Sequence, residues 1–426
     1  MYVRSDRKIS SRRGALVFAL GVAVLALVSG GHGPAYAATI NVNTFTDELN
    51  SDGDCSLREA IRASNTALAV DACPAGGPTT DIINLQPGTY TLTLHGAGED
   101  LAATGDLDIT TPTPSVGNLV NIVGNGAIID GDGADRVFDM YDALPKASTL
   151  TMSNLTVRNG NPGLGNGGAI RGSSGDSLNL TNVVVSGSAS GLSGGGISNT
   201  GFVNLTNVTI SGNSAAGVGG GFQNAAAGSS LIANGTTISG NDASGTGGAG
   251  VYNESSATAS MTNVTISGNT ATGTTSGGGG LHNRTGGAVS LINVTVTGNS
   301  AGFISPGGGG GIKNNGTGTV NIKNTIVAGN TSALGADCNG TLNSQGHNLF
   351  QATVSPCTIS GVTTGNITGQ DPLLGPLAAN GGPTQTHALP ANSPAVNAGD
   401  NAGCPIYDQR GVERAPYAPC DIGAYE

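Results

Sequence analysis

The chain has 426 residues, 73 of them Gly, no Trp, only 10% charged side chains and a formal net charge of −11. That composition belongs to repeat proteins and not to ordinary globular domains, and its acidity argues against nucleic acid or anionic membrane surfaces as partners. With so few charges, solubility falls to Asn, Ser and Thr.

The chain opens with a basic region, Arg4, Arg7, Lys8, Arg12 and Arg13, followed by an uncharged apolar stretch from Ala15 to Val28. Ala35-Tyr36-Ala37 then supplies a small-x-small cleavage site, so residues 1–37 read as a secretory signal peptide. The apolar stretch is shorter than the roughly 20 residues of a membrane span. The mature chain is expected to carry no transmembrane segment and to be secreted or held at the cell surface. Ser11-Arg12-Arg13 hints at twin-arginine export, with Sec export an equal alternative.

Residues 38–75 read as an N-terminal cap. Thr39 to Thr44 alternates as a strand. Ser56 followed by Glu59 is a capping box, which predicts a short helix from Leu57 to about Ser64 with Leu57, Ala60 and Ile61 on one face. The preceding stretch has the spacing of an EF-hand-type loop: Glu48, Asn50, Asp52, Gly53, Asp54 and Glu59. Glu48, Asn50, Asp52, Asp54 and Glu59 are therefore candidate calcium ligands. The competing reading is an acidic turn leading into a helix cap, and no other cofactor is expected.

Residues 76–370 read as coils of one solenoid. The early part is less regular, with strand-like runs at Ile82–Leu85, Tyr90–Leu94, Leu119–Val123 and Val137–Phe138. Between 151 and 330 two motifs alternate. The first runs NLTVRNG at 154, NVVVSGS at 182, NVTISGN at 207 and 263, GTTISGN at 235, NVTVTGN at 293 and NTIVAGN at 324, recurring every 25 to 31 residues. The second runs GGAIRG at 167, GGGISN at 194, GGGFQN at 219, GAGVYN at 248, GGGLHN at 278 and GGGIKN at 309. Alternating Val, Thr and Ile bounded by Gly or Asn is strand chemistry, and the Gly runs forbid helix. A repeat of this length describes one coil of a right-handed parallel β-helix, an all-β fold. No coil can bury its apolar residues alone, so stacking should place Val208, Ile210, Ile238, Val264, Ile266, Val294 and Val296 in one core. Two asparagine rows, Asn213, Asn241, Asn269, Asn299 and Asn330, and Asn199, Asn224, Asn253, Asn283 and Asn314, are expected to stack as amide ladders.

Residues 371–426 are Pro-rich and expected to wrap the last coil as an irregular C-terminal cap. The six cysteines allow 15 connectivities. The short local loops favour Cys55–Cys73, Cys338–Cys357 and Cys404–Cys420, which suits an oxidising compartment.

CSLREA at Cys55–Ala60 resembles the signature of the CSLREA-domain proteins, a family of exported bacterial β-helix proteins. DPLLGPLAANGGPTQTHALPANSPAVNAGD at 371–400 with DQRGVERAPYAPCDIGAYE at 408–426 resembles the choice-of-anchor Q domain. The repeats are similar to those of chlamydial polymorphic membrane proteins. The resemblance implies a secreted or surface β-helix and brings no catalytic residues.

Catalytic signals are sparse. Residues 151–330 hold only Asp176, Asp242 and Glu254 as acids, at unmatched motif positions, with Arg158, Arg171, Arg284, Lys313, Lys323 and His282 as possible bases or cations. The one catalytic candidate is Asp130, Asp132, Asp135 and Arg136, where IIDGDGADR sets three carboxylates near a guanidinium. His347, in a loop, reads as a polar surface residue. The expected function is structural, adhesive or ligand-binding, toward an extracellular macromolecule or polysaccharide, with the chain monomeric. The alternative is a polysaccharide lyase or glycoside hydrolase acting on acidic polysaccharide, with its site around residues 106–140.

Overall fold

A computed structural model describes residues 37–426 except 111–117, 141–146, 274–276, 303–306, 353–355 and 415–417. Apart from Ala37, the expected signal peptide lies outside the described residues.

The chain coils into a parallel β-helix. Its long sheet runs from the rung at Thr39–Asn41, paired to Asp81–Asn84, through to Cys357–Val362, every pairing parallel. The second motif builds a second sheet, in which Ile170, Ile197, Phe222, Val251, Leu281 and Ile312 stand in register one coil apart. Two-residue strands such as Ser214–Ala215 and Asp242–Ala243 make a third, narrow sheet.

Alternation decides which side chains go inside. In the long sheet Val203, Leu231, Ala259, Val289 and Val320 stack in one buried column and Ile210, Ile238, Ile266, Val296 and Val327 in another. All belong to a single continuous core, which includes every core residue expected from the repeats. Burying each Val, Leu or Ile among them is worth roughly 1.5–3 kcal/mol, and only stacking makes the burial available.

Each coil bends at the first residue of the first motif. Asn154, Asn182, Asn207, Asn263, Asn293 and Asn324 all sit in the left-handed region, φ between 48° and 56°, and Gly235 replaces them in one coil at φ 60°. Asn is the side chain that tolerates this region best after Gly.

The N-terminal helix spans Leu57–Thr66, with Ser56 and Glu59 forming both halves of the capping box. Leu57, Ala60 and Ile61 are buried in the main core. Ser64 and Asn65 tie the helix to the first coils through Asp81 (2.6 Å) and the Asp108 carbonyl (2.7 Å).

The C-terminal segment departs from expectation. It is irregular and packs against the last coils at Leu349 and Ile367, but it also folds back along the side of the helix over earlier ones. Lys323 meets Asp400 at 2.9 Å, Asn293 donates to the Asp421 and Gly423 carbonyls, and Thr384 Oγ1 reaches the Gly235 carbonyl at 2.8 Å. The effect shows in burial. Thr209 and Ser211 are half-buried, whereas Thr237, Thr265, Thr295 and Ile326 in the following coils are covered. Ile326, Ala328 and Leu349 form a second small core with Ala395 and Ile422 of this segment. The three local disulfides form as the spacing predicts.

Candidate functional site

The outward-facing position of the second motif builds a column of polar residues across successive coils. In register it reads Asp108, Asp139, Arg171, Ser198, Gln223, Tyr252, His282, Lys313 and Asn339. The leading glycines of the motif fold flat over it. A Cβ on Gly194 or Gly248, both with positive φ, would stand 2.6 Å from Ser198 Cβ and 2.8 Å from Tyr252 Cβ. Only a residue without a side chain allows so close a turn. Most of the column is therefore buried although it faces away from the core: Tyr252, His282 and Lys313 are 3%, 1% and 8% exposed.

At its first three positions the column gathers a cluster of buried charge. Arg136 Nη1 donates to Asp106 Oδ2 at 2.6 Å and to Asp139 Oδ2 at 2.8 Å. Arg171 Nε donates to Asp139 Oδ1 at 2.7 Å. Asp135 accepts the backbone N–H of Arg136. A cavity of about 400 Å³ opens onto Asp106, Asp135, Arg136, Asp139 and Arg171, with Glu99 and Asp100 at its edge. Burial pushes the Asp139 carboxyl up, against the opposing pull of Arg136 and Arg171. It pushes Asp108 up to about 8, helped by the negative charge of Asp106.

The structure divides the catalytic candidate drawn from the sequence. Asp135 and Arg136 reach this cavity, and Asp130 and Asp132 do not. Asp130 is bound by Arg158 (2.7 Å) and Asn159. Burial works to raise its carboxyl, but Arg158, the Asp132 N–H and Asn159 outweigh that and hold it low. Asp132 meets His95 at 3.1 Å, with both side chains about half exposed. The sequence names Arg171 only as one of six possible bases or cations, and Asp106, Asp108 and Asp139 only as part of the stretch 106–140. Arg171, Tyr252, His282 and Lys313 share one position of the second motif, and that shared position was the readable signal.

The candidate calcium ligands are brought close together. Carboxylate oxygens of Glu48, Asp52 and Asp54 lie within 4.8 Å of one another, and so do those of Asp54, Glu59 and Asp71. Both Glu59 oxygens already accept backbone N–H groups, from Asn50 at 3.1 Å and Ser56 at 3.0 Å. Asn50 turns its amide nitrogen toward Glu48 and Asp52. Asp71 is new to the set and binds the Asp52 and Gly53 N–H groups. It arrives because Cys55–Cys73 closes the intervening chain. His347 is a tether, its Nδ1 paired with the Ala398 carbonyl at 2.8 Å.

No family model matches the chain, and no curated protein matches it. Among solved structures, the crystal structure of pectate lyase Pel9A is similar, with 14% identity, 92% of this chain and 96% of that chain covered, and a TM-score of 0.43. The β-helix assignment stands on the strand register described above.

Proposed function

We propose that this chain is an exported β-helix protein that acts by binding, through the outer face of its long sheet, an extended extracellular macromolecule. One observation carries the reading. The outward positions of that sheet are uncharged rows, mostly small and polar with one large apolar residue in each: Thr149, Ser177, Phe202, Ser230 and Thr258 in one row, and Thr151, Asn179, Asn204, Ile232 and Ser260 in the next. Asn204 donates to Asn179 across coils at 2.8 Å, and Phe202 and Ile232 project from the rows, 49% and 46% exposed. Such a face offers hydrogen bonds at the coil repeat with little desolvation penalty. The signal-peptide pattern, the disulfides and the CSLREA-like and anchor-Q-like signatures favour the same extracellular setting. Among the described residues no helix is long and apolar enough to cross a membrane.

A second reading has its own support. The cavity over Asp106, Asp135, Arg136, Asp139 and Arg171 combines carboxyls in unlike environments with guanidiniums, the ingredients of acid–base cleavage of an acidic polysaccharide. One experiment separates the two. The mature protein is incubated with a panel of neutral and acidic polysaccharides, with and without calcium. Unsaturated products and reducing ends are followed alongside retention of the intact protein on each polymer. The first reading expects retention without turnover, weakened at least tenfold by Asn204→Lys with Ile232→Lys. Turnover abolished by Asp139→Asn and unaffected by the double lysine change would replace it with the second.

A further inference from the structure

Four carboxylates, Asp106, Asp108, Asp135 and Asp139, share one corner with two guanidiniums, Arg136 and Arg171. Negative charge exceeds positive by two. Water screens little of it, since the four acids are 3%, 0%, 5% and 2% exposed. Buried charge without compensation is strongly unfavourable, so with all four ionised the corner must take up either protons or a further cation.

Asp108 is where the shortfall falls. Arg136 holds Asp106 and Asp139, and Arg171 holds Asp139. Among the described residues no cation pairs with Asp108. Its Oδ2 accepts the Ala102 N–H at 2.7 Å, and its Oδ1 has no hydrogen-bond partner although the side chain is fully buried. The β-helix register stacks Asp108 directly on Asp139. One carboxylate oxygen from each of Asp106, Asp108 and Asp139 lies within 4.8 Å of the other two.

We propose that Asp106, Asp108 and Asp139 hold a calcium ion beneath the cavity. All three donors are hard oxygens, which selects a hard cation. Oxygens within 4.8 Å of one another can share one ion at calcium–oxygen distances of about 2.3–2.6 Å. The ion brings two positive charges to the corner, and the cavity, whose lining includes Asp106 and Asp139, gives it access to two of the three carboxylates. The site is separate from the N-terminal loop of Glu48, Asp52 and Asp54, so calcium binding by that loop must be distinguished from it.

The test is calorimetric titration of calcium chloride into the mature protein after chelator treatment, with the thermal midpoint read in parallel. Asp52→Asn, which disables the N-terminal loop, should keep a calcium-dependent rise in midpoint. Asp108→Asn should lose that rise and one equivalent of bound calcium. The proposal fails if Asp108→Asn binds as the unmodified protein does. It also fails if Asp52→Asn alone removes all binding, in which case a proton on Asp108 closes the charge balance. A crystal structure grown in calcium supplies a check that needs no variant: density for an ion among the three carboxylates supports the site, and its absence overturns it.

Discussion

Arg58 and His282 are both fully buried ionisable residues, and they are treated in opposite ways. Every N–H of the Arg58 guanidinium is used: two bonds to Asp47, at 2.6 and 3.1 Å, and one each to the Ala102, Gly105 and Asp106 carbonyls. A buried charge is tolerated when it is paired and fully hydrogen-bonded, and Arg alone offers this planar fork. His282 has no such support. Neither ring nitrogen makes a well-formed hydrogen bond, the Thr246 backbone and the Asn315 side chain giving only weak support, and the ring meets Tyr252 edge-on. Burial lowers its pKa to about 3, with Arg284 and Lys313 adding repulsion. The unfolded chain takes up a proton near the ordinary value of 6.5, and the folded one does so only near 3. The stability from this group is thus complete above pH 6.5 and is lost as pH falls toward 3. Thermal midpoints at pH 7 and pH 4 should fall several degrees further for the unmodified protein than for His282→Gln. Equal losses would remove His282 as the acid-sensitive group.

At the scale of the repeated elements, the asparagine ladders tie coil to coil. Asn213, Asn241, Asn269 and Asn299 each donate Nδ2–H to the Oδ1 of the next residue in the row, at 2.9–3.0 Å. The same Oδ1 accepts the backbone N–H of the preceding Asn, at 3.0 Å. The row begins at Ser188, which donates its N–H to Asn213, and ends at Asp337, which accepts from Asn330 at 2.9 Å. The second row runs from Asn199 to Asn314 at a constant 2.9 Å. Asn269→Ala strips a partner from the Asn241 backbone N–H, the Asn241 side-chain amide and the Ile238 carbonyl, and one of the two donors from Asn299 Oδ1. Each unsatisfied buried group costs about 1–3 kcal/mol. The variant should lose about 3 kcal/mol or more in urea unfolding, and a loss below about 1 kcal/mol would show that water repairs the gap. These rows were legible because equivalent residues of a solenoid must stack. The third row, from Asn154 to Asn324, was visible only as the start of a motif. Its left-handed backbone was hinted at by Gly235, the one exchange that Asn and Gly share for a conformational reason.

For the whole molecule, the C-terminal segment decides which side of the helix is free. Gln409 Nε2 donates to Thr237 Oγ1 at 2.9 Å and its Oε1 accepts from Thr265 at 2.7 Å, so one side chain bridges two coils. Ser267 meets His387 at 2.8 Å, and Arg414 reaches Asn263 at 3.1 Å. Deleting residues 371–426 should leave the early coils folded and loosen those from Gly235 onward. Hydrogen exchange should rise at 235–239, 263–267 and 293–297 and stay unchanged at 149–158, with new dye-accessible apolar surface at Ile326 and Leu349. Uniform loss of protection along the chain would instead make the segment essential to the whole fold.

The sequence by itself determined the β-helix, its core columns, two amide ladders, the helix with its capping box and the three local disulfides. All of these follow from local chemistry repeated at a fixed period, so neighbours in space can be counted off along the chain. Only the tertiary structure decided which charges meet. Asp106, Asp139 and Arg171 lie on different coils, and Asp130 and Asp132, near to Asp135 in sequence, point to another face. The lateral course of residues 371–426 was equally hidden. It has no period, and its partners lie up to 173 residues away, as for Gln409 and Thr236. Its position follows from burying the outer side chains of Thr237, Thr265, Thr295 and Ile326, a surface that exists only once the coils have stacked.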